Sequence, residues 1–317
     1  MGRMSVVEST HNEDECKFVS TVGLSLICDQ KPRYFRRQVD YGWNFNNQPG
    51  DIVFVKSTHL MALANYLPNF VHPIIIVTNG DDGYFPYDFQ KQPNFDRLMS
   101  SKVLHIFAQN CWLRDHPKFH GIPIGLDYHT LNWEYSMQHD WGKANGVTAL
   151  QQEDILLNCI KNSLPFEKST ATTIITNFHL AMDDPPRRKV MRQGIYKNLQ
   201  YVEWMKWLPK QSREEFWNEC NQASFVLCPP GNGPDTHRAW EVLMLGRVPI
   251  IQDLSINQVY DDLPVWIVKD WGEFAKLSME DLMNKQKDFI SKWQTYNWEK
   301  LTLKYWTDYI RSFKPQY

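Results

Sequence analysis

Short apolar runs alternate with amphipathic stretches along nearly the whole chain, the pattern of open parallel α/β sheets. In the first half, Asp51–Lys56 (DIVFVK) reads as a strand and 58–67 as a helix. Residues 73–78 (PIIIVT) read as a second strand, 94–101 as a helix and 103–108 as a third strand. Helical spacing returns over 153–163, and 163–170 reads as a linker into a second domain. That domain opens with a strand at 173–176. After Pro185-Pro186 the pattern predicts a helix over 187–198, a short strand over 201–204 and a helix over 213–222. Residues 265–268 read as the last strand, with helical stretches from Ser278 to the end. No internal repeat or low-complexity tract interrupts this order.

The most informative stretch is 225–253, FVLCPPGNGPDTHRAWEVLMLGRVPIIQD. It reads as a buried strand (225–228), a Pro/Gly loop (229–234), a helix from Asp235 to a C-cap at Gly246, and a second strand (248–251). Such a unit brings close-approach backbone to a helix N-terminus, where N–H groups and the helix dipole favour an anion. Arg238 and Glu241 lie one turn apart on that helix. Arg grips a diphosphate as a fork, and a carboxylate accepts both hydroxyls of a ribose, which together suggest a nucleoside diphosphate. The same residues also fit an ordinary α/β turn with a surface ion pair. The loop is not a P-loop, because no Gly-Lys-Ser/Thr follows it, and it lacks the third glycine of a dinucleotide fingerprint.

The string GNGPDTHRAWEVLMLGRVPII resembles the signature of the exostosin-like glycosyltransferases, glycosyltransferase family 47. Two earlier segments, IIIVTNGDDGYFPYD (74–88) and HPKFHGIPIGLDYHT (116–130), are similar to segments of the family's short members from large DNA viruses and bacteria, viral xylosyltransferases among them. The motifs span most of the chain but cover about a third of it. The resemblance implies a GT-B architecture, two Rossmann-like parallel-sheet domains facing a cleft. The expected division is an acceptor-side domain over 1–165 and a donor-binding domain over 166–317, with the last helices packed back on the first.

Composition narrows the partners. At 317 residues, 43% hydrophobic and 22% charged, with a formal net charge of −2, the chain reads as a globular protein without the basic excess of a nucleic-acid binder. No apolar run reaches the roughly 18–20 residues of a membrane span. The acidic N-terminal stretch reads as neither signal peptide nor anchor, which points to work in the cytoplasm (for a virus-encoded enzyme, that of the host) or to a sequence trimmed of such a segment. Cys16, Cys28, Cys111, Cys159, Cys220 and Cys228 show no metal spacing and are expected to be buried, reduced thiols. His116 and His120 are four apart, but Pro117 argues against a shared helix face and a metal pair. Most of the 13 Trp are expected in the core.

Inverting sugar transfer needs a base for the acceptor hydroxyl and positive potential for the departing diphosphate. The signature supplies the second through Gly231, Asn232, Gly233, Thr236, His237 and Arg238, with Glu241 on the ribose as the resemblance implies. Asp235 and Thr236 compete for the N-cap, and the one that does not cap can face the donor. Arg187 or Arg188, with Arg188 preferred, adds charge or simply starts a solvated helix. In TNGDDGYF, Asp82 is the expected base and Asp81 the next candidate, although Asn-Gly-Asp-Asp-Gly is equally a turn sequence. Asn110 and Asp127 read as structural. The expectation is an inverting transfer from a UDP-sugar, xylose first, to a glycan hydroxyl, with no metal and no cofactor beyond the co-substrate. The alternatives are a metal-dependent transferase using Asp81 and Asp82, and a sugar- or nucleotide-binding protein without turnover.

Overall fold

The structure is a computed structural model that describes residues 12–35, 38–132, 138–139, 142–143, 147–180 and 186–316. The chain forms two compact units. One draws on Met1–Met137, Lys143–Gln152 and Thr302–Tyr317, the other on Gln138–Gly142 and Glu153–Leu301.

The first unit contains α1 (Thr21–Leu26), then β1 (Asp51–Lys56), α2 (Leu60–Tyr66), β2 (Ile74–Asn79), β3 (Val103–Gln109) and β4 (Phe119–Ile122). The four strands pair in sequence order and are all parallel. Every residue of β2 is buried, which its unbroken apolar run dictates: a parallel strand covered on both faces has no solvent side. A short hairpin (Arg33–Phe35 with Gln38–Asp40) precedes the sheet, and α3 (His129–Asn132) follows it. Between β2 and β3 the expected helix is a single 3-10 stretch, Phe95–Met99, entered through Asn94 in the left-handed conformation (φ 67°).

The second unit begins in α4 (Ala149–Lys161) and continues with β5 (Thr170–Thr176), α5 (Pro186–Leu199), β6 (Met205–Trp207), α6 (Arg213–Cys220), β7 (Ala223–Leu227), α7 (His237–Met244), β8 (Val248–Gln252), β9 (Trp266–Val268), α8 (Trp271–Phe274) and α9 (Met279–Lys292). Its sheet is parallel throughout, in the order β6-β5-β7-β8-β9. The strand expected over 201–204 is displaced to β6: Tyr201 is 90% exposed in a turn, and the buried Trp204 indole donates to Leu277 O at 2.7 Å. The expected linker over 163–170 is tied down, because the buried Arg247 donates to Ser163 Oγ, Leu164 O and Asn221 O.

The last helix, α10 (Leu303–Arg311), belongs to the first unit, where Leu303 N–H donates to Lys17 O at 2.9 Å and Lys314 pairs with Asp29 at 2.6 Å. Both units are therefore α/β with Rossmann-like parallel sheets, as the periodicity predicted. All six cysteines are buried and unbridged. Among the described residues, no helix is long and apolar enough to cross a membrane.

Candidate functional site

In the second unit the chain winds outward from β5 to β6, then returns to β7 on the other side of β5. At such a reversal the loops leaving the two strands diverge and leave a crevice beyond their carboxyl ends. The loop after β5 carries Asn177, Phe178 and His179; the loop after β7 is the signature loop. Arg192, on α5, ties them together. Its Nε donates to Pro230 O at 2.7 Å and a terminal nitrogen donates to His179 O at 3.0 Å. The guanidinium lies 5.5 Å over Phe178, which packs edge-on against Trp207 of β6 at 5.3 Å. Burial, and then the positive charge of Arg238, push the Arg192 guanidinium down to about 10, so it remains a cation at neutral pH. Two coupled arginines thus stand by one loop. The sequence expectation had looked one turn earlier on the same helix, at Arg187 and Arg188, whose side chains lie outside the described residues.

The signature loop closes on itself through Gly231 N–H, which donates to Gly233 O at 2.9 Å, while Asn232 at the tip is exposed. Asp235 does not open the helix as expected. Its buried carboxylate accepts from Thr236 N–H at 2.9 Å, from the Trp240 indole at 3.0 Å and from the Tyr260 hydroxyl. The rings of Trp240 and Tyr260 stack at 5.0 Å beneath it. Asp235 therefore fastens the loop to its own helix. Thr236 holds the N-cap position in extended conformation (φ −134°), but its side chain makes no capping bond. The helix proper starts at His237, which is half-buried in the first turn.

On α7, Arg238 and Glu241 take separate neighbours, so the ion pair that their spacing also allowed is not formed. Arg238 places its guanidinium 4.6 Å over the Phe216 ring of α6. Glu241, 1% exposed, has Oε1 3.5 Å from Nε of the equally buried Arg213, the first residue of α6. Its other oxygen, Oε2, has no hydrogen-bond partner among the described residues. Asn177 Oδ1, Trp207 Nε1 and Gln211 Oε1, all just beyond the carboxyl ends of β5 and β6 or at the last residue of β6, are likewise buried without a partner. Buried polar atoms are nearly always satisfied, so these three leave hydrogen bonds at this end of the sheet for water or a ligand to make. Arg192 and Arg213 carried no motif. The one available signal for Arg213 was its place behind Ser212, which with Glu215 forms a capping box after β6.

In the first unit the acidic loop follows β2. Gly80 turns it with φ 78°. Asp81 Oδ1 accepts from Gly83 N–H at 3.1 Å, and its backbone carbonyl accepts from Gln109 Nε2 and Asn110 Nδ2, both at 3.2 Å. The turn reading is thus realised by Asp81, whose backbone Asn110 holds. Asp81 and Asp82 are both half-buried. A second carboxylate, Asp127, follows β4. It accepts from Thr130 N–H at 2.9 Å and lies 3.2 Å from His129 Nδ1. The signature residues Gly231 to Glu241 assemble in the second unit, and Asp81 and Asp82 in the first.

No family model matches the sequence, and none of the curated proteins does. Solved structures show partial likeness. The N-terminal domain of trehalose-6-phosphate phosphatase from Candida albicans is 14% identical, with 84% of this chain and 72% of that chain covered and a TM-score of 0.43. A UDP-forming α,α-trehalose-phosphate synthase from Burkholderia vietnamiensis is 10% identical over 84% and 75%, with a TM-score of 0.41. Sucrose-phosphate synthase from Thermosynechococcus elongatus is 12% identical over 83% and 73%, with a TM-score of 0.38. At these scores the likeness adds no weight to fold or function, which rest on the sheet topology and the residues.

Proposed function

We propose that the chain is an exostosin-like glycosyltransferase that moves a sugar from a UDP-sugar to a glycan hydroxyl, with the second unit as the donor side and the first as the acceptor side. The observation that carries this reading is the bridge made by Arg192 across the reversal of the second sheet, from His179 O to Pro230 O of the signature loop. Two cations beside a Gly-rich loop and a helix start suit a diphosphate, and the unfilled oxygen of Glu241 suits a ribose hydroxyl. Gly231, Asn232, Gly233, Thr236 and His237 line the approach, and Asp235 holds the loop in place.

Transfer proceeds with inversion and without a divalent metal in this reading, because the paired arginines offer the charge that a metal would supply to the leaving group. Xylose is the first donor to try, on the resemblance alone, and a cytoplasmic enzyme of viral type fits the same resemblance. Three proton acceptors are at hand in the first unit: Asp82 and then Asp81, expected from the sequence, and His129.

Calorimetric titration with UDP tests the donor site. Arg238→Ala should weaken UDP binding by about 2 kcal/mol or more, the worth of hydrogen bonds to a charged group. UDP affinity unchanged in that variant removes the core of the reading. Transfer should persist in EDTA; loss on chelation with recovery in manganese transfers the charge role to a metal held by Asp81 and Asp82.

A further inference from the structure

We propose that His129 is a catalytic residue of the acceptor site: oriented by Asp127, its imidazole takes the proton of the acceptor hydroxyl. This rests on the glycosyl-transfer reading above and names the base within it.

The segment that carries the pair is built to hold a fixed shape. Gly125 has φ 63°, and a Cβ there would stand 2.2 Å from Val19 O, so only glycine lets 124–126 lie against 19–21. Leu126 N–H donates to Val19 O at 2.8 Å and the Thr21 hydroxyl donates to Ile124 O at 3.0 Å. Thr21 O in turn accepts from Asn79 Nδ2 at 2.8 Å, which ties the segment to the end of β2 where the acidic loop begins. On the other side, Gln152 Nε2 donates to Tyr128 O at 2.8 Å, and Tyr128 is fully buried. His129 thus sits between two anchored neighbours, Tyr128 behind it and the Asp127–Thr130 turn around it.

The pair has the polarity that a base needs. The Asp127 side chain is 10% exposed and that of His129 is 23% exposed, a buried carboxylate behind a reachable ring. His129 Nδ1 stands 3.2 Å from Asp127 Oδ1, at ion-pair distance but off the line of a hydrogen bond, an alignment that catalytic pairs commonly complete when substrate binds. A carboxylate on Nδ1 holds the tautomer whose Nε2 carries the lone pair and stabilises the imidazolium once it forms. Glu13 is buried near Asp127; burial first, and the Asp127 charge after it, push its carboxyl up to about 8. An imidazole, with an ordinary pKa of about 6.5, is also the better-matched base at neutral pH than a carboxylate of about 3.9. In the step, the acceptor oxygen bonds to the anomeric carbon as the bond from that carbon to the diphosphate oxygen breaks. The proton passes to His129 Nε2, and the nucleoside diphosphate leaves with the electron pair.

The experiment follows release of UDP from UDP-xylose and UDP-glucose by the full chain, with methyl β-D-xyloside or methyl β-D-glucoside as acceptor and UDP affinity measured alongside. His129→Ala and His129→Gln should each lose about 10²–10⁴-fold in kcat at unchanged UDP affinity. Added imidazole should restore part of the turnover of His129→Ala. Asp127→Asn should lower both kcat and the titration midpoint of the His129 ring read by NMR. Near-normal turnover in both His129 variants, or loss in Asp82→Asn alone, overturns the proposal. An unmoved His129 midpoint in Asp127→Asn overturns it too. A wild-type chain that binds UDP but releases none from either sugar nucleotide removes the base and leaves the donor site standing. One that binds no UDP fails the underlying reading instead.

Discussion

Glu241 is held by Arg213 of the neighbouring helix, Oε1 to Nε 3.5 Å, and not by Arg238 one turn away on its own. A buried ion pair of this kind brings little net stability, because both charges lose their hydration. It does place a cation beside Oε1, with Oε2 left for a hydrogen bond that the described residues do not supply.

If that oxygen receives a ribose hydroxyl, the protein should bind UDP more tightly than 2′-deoxy- or 3′-deoxy-UDP by about 1.5–3 kcal/mol for the hydroxyl concerned. Glu241→Gln should shrink the preference. Calorimetry on the nucleotide pairs reads it directly, and equal affinity for UDP and both deoxy forms places the ribose elsewhere.

Arg192 offers charge and also holds two loops in register. Replacing it by Met keeps an apolar side chain of similar length but removes the guanidinium over Phe178 and the bonds to Pro230 O and His179 O. Affinity for UDP should fall at least tenfold, about 1.4 kcal/mol, while affinity for uridine, which lacks the diphosphate, should fall much less. An equal loss for both ligands would assign Arg192 to loop support alone.

Glu13 couples stability to pH. Burial lifts its carboxyl from 4.5 to about 8, so the folded chain holds that proton more tightly than the unfolded one. The stability this contributes is complete below the unfolded value of 4.5 and is lost as pH rises through the folded value near 8. Glu13→Gln keeps the size and neutrality at every pH. Its melting temperature relative to wild type should therefore rise between pH 5 and pH 8.5. A difference that stays constant across that range shows that Glu13 is ionised in the folded chain.

Gly125→Ala tests the anchor beneath the Asp127–His129 pair. The added carbon meets backbone, not a movable side chain, at 2.2 Å from Val19 O. Left-handed backbone at a non-glycine residue costs about 1–3 kcal/mol before the clash is counted, so the melting temperature should drop by several degrees. A variant as stable as wild type means that 124–126 can leave 19–21 without loss.

The class of the protein was written in its periodicity. Short unbroken apolar runs such as 74–77, bounded by turn residues, suit strands covered on both faces, and the amphipathic stretches between them suit the helices that cover those faces, so the α/β class was legible in the local pattern. The Gly/Pro loop and the helix behind it were equally local, since backbone conformation is decided within a few residues. What the side chains of that helix touch was not local. Asp235 was expected at a helix cap and is held by Trp240 and Tyr260, the latter 25 residues on. Glu241, expected on the ribose, is paired with Arg213 and not with its helix neighbour Arg238, and the second arginine by the loop, Arg192, came from a helix 38 residues before Pro230. Strand order made these pairs. The reversal around β5 brings the ends of β5, β6 and β7 side by side, and which groups meet there is set by strand order, not by sequence neighbours.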